Sequence, residues 1–241
     1  MKKLLAGLLL VSSVLSFGAT QRVGIEKLVT NESRDTLYLE ETKKPYSGEV
    51  ERKYPNGKLL GVATMKDGKL NGKAYEYYEN GKVKREETYV NGKANGPAKS
   101  YHENGKVEYE TNFKNSKREG IEKAYSKTGV LLSEVPFKND NATGVVKLYN
   151  EQTGKLEYET MIVNGKREGL SKKYYPSGKL LSEVTFRNDK EEGMMKAYYE
   201  SGKLQGEIPY KNGELDGVIK FYNEDGKVAE QATFKNGKEV K

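Results

Sequence analysis

Few side chains of this 241-residue sequence are suited to catalysis. His102 is its single histidine, and a histidine acts as a general base where a partner group orients it. The acidic pairs Glu86-Glu87 and Glu191-Glu192 have the chemistry of a glycosidase carboxylate pair. However, His102 stands where other copies of a repeat have tyrosine, and 32% of the residues are charged. We therefore interpret the histidine as one member of a variable row and the carboxylates as solvated surface.

The composition argues against several kinds of site. Without cysteine the chain cannot form a disulfide, a cysteine-ligated zinc site or an iron–sulfur cluster, and one histidine cannot build a multi-histidine metal site. The glycine-rich phosphate loops of nucleotide enzymes are absent from the sequence. The net charge is +7, but basic and acidic residues are interleaved, which is typical of a solvated surface and not of a nucleic-acid groove. We predict no enzymatic activity, no catalytic residue, no cofactor, no metal and no nucleic-acid partner.

Residues 1–19 have the pattern of a secretory signal peptide. Lys2 and Lys3 precede an apolar run from Leu4 to Leu15, and the segment Ser16-Phe17-Gly18-Ala19 then places small residues where a signal peptidase would cut. This run is shorter than the roughly 20 apolar residues of a spanning helix, and no second candidate follows it. A lipid anchor at the cleavage site would need a cysteine. We therefore predict an exported protein, periplasmic, on the cell surface or secreted, with no transmembrane segment in the mature chain.

The rest of the sequence is organised by a repeat of about 24 residues. We number each copy from a leading glycine, so that position n lies n residues after it. Position 5 is tyrosine in seven copies, position 9 is glycine, position 11 is leucine or valine, and position 17 is a large apolar residue. The fifth copy has one inserted residue within Asn150 to Gly154, which is left out of its numbering. The leading glycines of the eight copies are Gly48, Gly72, Gly96, Gly120, Gly144, Gly169, Gly193 and Gly217.

Two kinds of turn predict that each copy is a β-hairpin. Asn-Gly and Asp-Gly at positions 19 and 20 favour a type I′ turn, whose central residues both need a positive φ. Pro55-Asn56-Gly57 is typical of a three-residue loop that closes on a glycine bulge. In this register position 5 lies opposite position 11, and the period-two rule places position 17 on the same face. The rule places on the other face a row of glutamates at position 14, namely Glu86, Glu110, Glu134, Glu159, Glu183 and Glu207.

A single hairpin cannot bury its apolar face, so its stability must come from neighbouring copies. The predicted fold is therefore all-β: one elongated solenoid of eight hairpin repeats over residues 48–241, on the order of 75 Å long. Residues 20–47 are predicted to form an N-terminal cap or degenerate repeat. An uncovered terminal strand would also allow end-to-end self-association.

Position 6 is the candidate binding surface. Its residues vary while position 5 is nearly constant, and variation on a rigid lattice suits recognition by exposed tyrosine. We expect these side chains to point away from the position-5 tyrosines; polar filler is the other interpretation. The candidate residues are Tyr54, Tyr78, His102, Tyr175 and Tyr199.

From Tyr46 to Lys238 the pattern resembles the bacterial variant of the MORN repeat, many examples of which are labelled YwqK-type antitoxin-like. The resemblance is carried by the leading glycine, the position-5 tyrosine and the two Asn-Gly turns. The sequence departs from the standard MORN repeat, since only Tyr46-Ser47-Gly48 keeps the Tyr-x-Gly opening.

These observations predict an exported, non-enzymatic repeat protein that binds another protein, as a scaffold or as a surface or host-interaction module. The family resemblance also implies an alternative, an antitoxin-like partner that neutralises a toxin. A glycan-binding module is a third interpretation, which the absence of tryptophan disfavours. The sequence does not identify the partner.

Overall fold

The computed structural model describes residues 22–240, so the predicted signal peptide lies outside the described residues. This part of the chain is nearly all β, with one short 3-10 helix at Ile25–Lys27. No helix among these residues is long and apolar enough to span a bilayer. The strands are β1 Arg22–Gly24, β2 Leu28–Thr30, β3 Leu37–Leu39, β4 Gly48–Lys53, β5 Leu59–Lys66, β6 Lys69–Tyr77, β7 Val83–Val90, β8 Lys93–Tyr101, β9 Val107–Lys114, β10 Lys117–Arg118, β11 Gly120–Tyr125, β12 Leu131–Lys138, β13 Asn141–Ala142, β14 Gly144–Tyr149, β15 Leu156–Val163, β16 Lys166–Arg167, β17 Gly169–Tyr174, β18 Leu180–Arg187, β19 Lys190–Tyr198, β20 Leu204–Lys211, β21 Glu214–Leu215, β22 Gly217–Tyr222, β23 Val228–Lys235 and β24 Lys238–Val240.

Twenty-two of these strands form one continuous sheet. Each repeat contributes a hairpin, as in β6 and β7, and the next repeat pairs through β7 and β8. These pairs are antiparallel, whereas β1 runs parallel to β4 at the start of the sheet. β2 and β3 form a separate two-stranded sheet. The predicted all-β solenoid of eight hairpin repeats is confirmed.

Both predicted turns are present. Asn91 and Gly92 have φ values of 48° and 78°, as a type I′ turn requires. In the other turn, the Gly57 N–H donates to the Tyr54 carbonyl at 2.9 Å and the Tyr54 N–H donates to the Lys58 carbonyl at 2.8 Å. This is the predicted three-residue loop with its glycine bulge.

A second bulge beside this loop changes the predicted faces. In the second repeat Tyr77 lies opposite Val83, but Glu76 lies opposite Arg85, so Lys84 is an extra residue in β7. The same shift occurs at the equivalent place in all eight repeats. Because side chains alternate along a strand, one extra residue exchanges the faces of all positions after it.

The exchange puts the glutamates, not the aromatic residues, beside the tyrosines. Glu86 pairs with Tyr75, whose ring stacks on Tyr77 with centroids 6.4 Å apart, so all three share a face. Tyr89, at position 17, pairs with Gly72 and points the other way. The predicted placement of positions 14 and 17 is therefore wrong. We call positions 1, 3, 5, 14 and 16 the tyrosine face, and positions 2, 4, 13, 15 and 17 the core face.

Most buried side chains lie on the core face. They include Val50, Ala98 and Ile219 at position 2, and Met65 and Phe186 at position 17. The N-terminal segment extends this core over the first repeat. There Val50, Met65 and Tyr46 pack against partly buried apolar residues, which are Val23, Ile25, Leu28, Leu37, Leu39 and Leu70.

Candidate protein interface

The position-6 residues predicted to bind a partner hold neighbouring repeats together. Each donates from its side chain to the carbonyl of the position-5 tyrosine in the next repeat, as Tyr54 does to Tyr77 at 2.7 Å. The other four contacts are Tyr78 to Tyr101, His102 Nε2 to Tyr125, Tyr175 to Tyr198 and Tyr199 to Tyr222. All five side chains are half-buried, and so less exposed than the sequence analysis expected. Partner binding by this row stays a prediction.

The position-5 tyrosines make a second inter-repeat contact, which the sequence interpretation missed because it placed the glutamates on the other face. In six of the seven, the hydroxyl donates to the position-14 glutamate of the preceding repeat, as Tyr174 does to Glu159 at 2.7 Å. The other five contacts join Tyr101 to Glu86, Tyr125 to Glu110, Tyr149 to Glu134, Tyr198 to Glu183 and Tyr222 to Glu207. Burial, reinforced by the hydrogen bond to a carboxylate, raises the pKa to about 12 in four of these tyrosines, Tyr101, Tyr149, Tyr174 and Tyr198.

Lysines at position 10 make a third contact. The Lys58 ammonium donates to the Glu79 carbonyl at 2.8 Å, in the turn of the next repeat. Lys106, Lys155, Lys179 and Lys203 make equivalent contacts. Side chains thus satisfy turn carbonyls between repeats and fix the hairpins relative to one another.

The junction between the fourth and fifth repeats keeps one of these three contacts. Position 6 is Ser126, which is 5% exposed and accepts the N–H groups of Thr128 and Val130 in its own turn. Position 10 is Val130, which has no ammonium group. Tyr149 still donates to Glu134 across this junction. We call it the central seam.

An exposed apolar row follows the tyrosine face through the last five repeats. At position 1, Ile121, Val145, Leu170, Met194 and Val218 are 53%, 41%, 48%, 46% and 42% exposed. We call these five residues the apolar stripe. In the first three repeats the same position holds Glu49, Lys73 and Pro97. The apolar stripe therefore begins at the fourth repeat. The sequence analysis missed this change from polar to apolar residues because it looked for a binding surface at position 6.

A row of lysines lies beside the apolar stripe, two residues further along each strand at position 3. Lys123 forms an ion pair with Glu134 at 3.3 Å. Among residues 22–240, Lys147, Lys172 and Lys196 have no ion pair. They face Glu159, Glu183 and Glu207, whose carboxylates accept tyrosine hydroxyls. On the preceding strand each lysine also lies opposite a glutamate, Glu134, Glu159 or Glu183. Neither neighbour forms an ion pair with the ammonium group, which leaves it available to an external partner.

A groove of about 520 Å³ lies near the N-terminal end of the described residues. Its lining includes the small residues Gly61, Ala63 and Ala74 and the charged residues Arg52 and Arg85. Arg85 pairs with Glu87, which also accepts the Tyr89 hydroxyl. No cluster of three or more acidic, histidine or cysteine side chains suited to a metal occurs among residues 22–240.

Comparison with known families and structures agrees with the repeat pattern. The family model described as MORN repeat variant matches residues 46–67, 70–91, 94–115, 118–139, 167–188, 191–212 and 215–236. The copy between residues 139 and 167 is not matched; it contains the longer loop, but its strands β14 and β15 pair as in the other copies.

A search of the curated proteins found no match. Among solved structures the chain is similar to "Crystal Structure of TcdB2-TccC3 without hypervariable C-terminal region", with 13% identity and a TM-score of 0.19. The match covers 85% of this chain and 13% of that one. A TM-score of this size does not establish a common overall fold.

Proposed function

The chain belongs to the MORN repeat variant family, and on that premise we propose that it is an exported, non-enzymatic repeat scaffold that binds another protein. The binding surface we propose is the tyrosine face of the last five repeats. The non-enzymatic role is supported by the structural contacts of the residues best suited to chemistry. His102 binds the next repeat, Glu86 accepts the Tyr101 hydroxyl, and Glu87 pairs with Arg85.

The apolar stripe is the observation that carries the proposal. Five apolar side chains at one repeat position are each more than 40% exposed, whereas single exposed apolar residues scattered over a surface would need no explanation. Covering one such half-exposed side chain contributes about 1 kcal/mol. The inter-repeat contacts fix the stripe before a partner arrives, so little conformational entropy is lost on binding.

Binding by the stripe is tested with matched charge substitutions. Leu170→Glu places a carboxylate in the stripe, and Lys73→Glu places one at the same position of the second repeat, outside it. Partner proteins are isolated from the fraction that contains the native protein, and their affinities for both variants are measured by calorimetry. We expect Leu170→Glu to weaken binding at least about tenfold, through loss of about 1.4 kcal/mol or more, and Lys73→Glu to leave it unchanged. Equal affinities for the two variants would refute the proposed surface.

Export is tested by mass spectrometry of the native N-terminus. Cleavage of a signal peptide predicts a first residue near Ala19 or Thr20, in the periplasm, on the surface or in the medium. The antitoxin-like alternative, which follows from the family resemblance, is favoured instead by an intact Met1 in the cytoplasm and a small toxic protein bound to the chain. Cross-linking in the same cells distinguishes the two.

A further inference from the structure

We propose that the apolar stripe binds an amphipathic α-helix of the partner protein, laid across the strands. Successive repeats would contact apolar residues seven apart in that helix, and acidic residues of the helix would face the lysines of position 3. This inference rests on the proposed function and specifies the partner's structure.

The spacing of the stripe carries the argument. Neighbouring strands lie about 4.8 Å apart and each repeat adds two, so position 1 recurs about every 9.6 Å along the sheet. Seven residues of an α-helix advance about 10.5 Å and return to nearly the same side of the helix. An extended strand repeats a face every two residues, or about 6.8 Å, and does not match. From Ile121 to Val218 the stripe makes four steps, about 40 Å, which requires roughly 28 helical residues.

A polyproline helix is the nearest competitor, because three of its residues advance about 9.3 Å. The twist of the sheet favours the α-helix, whose seven-residue step is the longer of the two. Strands rotate by roughly 20–25° from one to the next, so a row of side chains away from the sheet axis follows a longer path than the axis does. Position 1 lies near the type I′ turns, away from the middle of each hairpin. We therefore expect the distance between successive stripe residues to exceed about 9.6 Å, towards the helical value of about 10.5 Å.

Charge determines which side of the helix faces the lysines. The Glu159 and Glu183 carboxylates accept the hydroxyls of Tyr174 and Tyr198, which stand at position 5, beyond position 3 when viewed from the stripe. The carboxylates are therefore held away from the stripe, while the Lys172 ammonium has no ion pair within residues 22–240. In the last repeat Lys220 faces Gln231 on one side, so Glu207 of the preceding repeat is the carboxylate that remains opposite it. An acidic flank on the bound helix matches this row.

The test is site-specific photo-cross-linking in cells that make the full chain. Benzoylphenylalanine replaces Val145, Leu170 or Met194 in turn, and Lys73 is the matched control at position 1 outside the stripe. Mass spectrometry then identifies which partner residue each position reaches. We expect the reached residues to advance by seven per repeat, and Lys73 to give no cross-link to this segment.

The outcomes separate this inference from the proposed function. Cross-links from the stripe that advance by three residues, or with no regular step, overturn the helix and leave a protein-binding stripe. No cross-link from any of the three positions, or equal yields from Lys73, overturns both.

A charge substitution gives a second measurement. Lys172→Glu is expected to lower the cross-link yield from Leu170 about threefold, within the range of an exposed ion pair. Lys99→Glu is its control, because Lys99 is in the third repeat, outside the stripe, and pairs with Glu110 at 2.7 Å. Unchanged circular dichroism shows that both variants fold. Equal effects of the two substitutions would overturn the acidic flank.

Discussion

Alkaline pH should destabilise this protein by deprotonating the tyrosines whose hydroxyls donate to glutamate. Burial and then the hydrogen bond to a carboxylate raise the pKa of Tyr101, Tyr149, Tyr174 and Tyr198 from 10.0 to about 12. The folded chain thus holds these protons more tightly than the unfolded chain. The resulting stabilisation is fully present below pH 10 and is lost as the pH rises through 12. A tyrosinate can no longer donate to the carboxylate, and the two negative charges repel each other.

The size of the effect follows from the shift. Each pKa unit corresponds to 1.36 kcal/mol, so two units give at most about 2.7 kcal/mol per tyrosine. These side chains are only half-buried, and solvent screening reduces the figure to about 1 kcal/mol each. Four sites together then contribute about 4 kcal/mol, a large part of the roughly 5–15 kcal/mol that stabilises a typical domain. Because each repeat contacts only its neighbours, the loss falls on the junctions between hairpins.

The assay is urea unfolding followed by circular dichroism at a series of pH values between neutrality and pH 12, with tyrosinate absorbance recorded in parallel. Tyr174→Phe and Tyr198→Phe keep the rings and remove the hydroxyls. Each should lower the free energy of unfolding at neutral pH by about 1 kcal/mol and reduce its loss above pH 10. Hydrogen bonds to Glu76 and Glu110 raise the pKa of Lys84 and Lys99, and these lysines titrate nearby. Comparing wild type with the Phe variants cancels their contribution. The same pH slope in wild type and variants would refute the reasoning.

Two further predictions concern the junctions and the turns. The double variant Ser126→Tyr with Val130→Lys supplies the two side-chain donors that the central seam lacks. It should raise the free energy of unfolding by about 1 kcal/mol and slow amide hydrogen exchange in β12 and β14. Unchanged exchange would show that the central seam is not a weak junction. Gly165→Ala should lower the free energy of unfolding by about 1 kcal/mol, because φ at this residue is 76°. An added Cβ would have no neighbour within 4 Å, so the loss measures backbone strain alone. In the same urea titration Gly68→Ala should lower the free energy of unfolding by more than Gly165→Ala does, because its Cβ would lie 2.7 Å from the Leu37 carbonyl oxygen. Equal losses of stability in the two variants would show that the chain relieves this steric contact without cost.

Repeat length, hairpins and turn types could be read from the sequence because each depends on local backbone chemistry. Residues 91 and 92 must both take a positive φ, and Asn-Gly is the pair that does so at least cost. The register after the first turn depends instead on a bulge at Lys84, a position with no conformational marker of its own. Because of this one extra residue, the glutamates and the position-17 residues lie on the faces opposite to those predicted. The tyrosine–glutamate contact could therefore not be predicted from the sequence.

The position-6 row shows that variation between repeats also has a structural origin. Where the row holds tyrosine or histidine, its side chain satisfies a carbonyl of the next repeat. Where it holds Ser126 or Asn150, the side chain accepts hydrogen bonds within its own turn. Its variation thus follows how each junction is closed and needs no partner to explain it.

Position 1 is the opposite case, because nothing inside the chain requires its apolar residues. Glu49 and Lys73 occupy the same position in the first two repeats, and their strands pair in the same register. Leu170 and Met194 instead expose apolar surface to water in the corresponding strands, which favours association without contributing to the junctions. A residue type that the fold does not need, repeated on one face through five consecutive repeats, is better explained by an external partner than by packing.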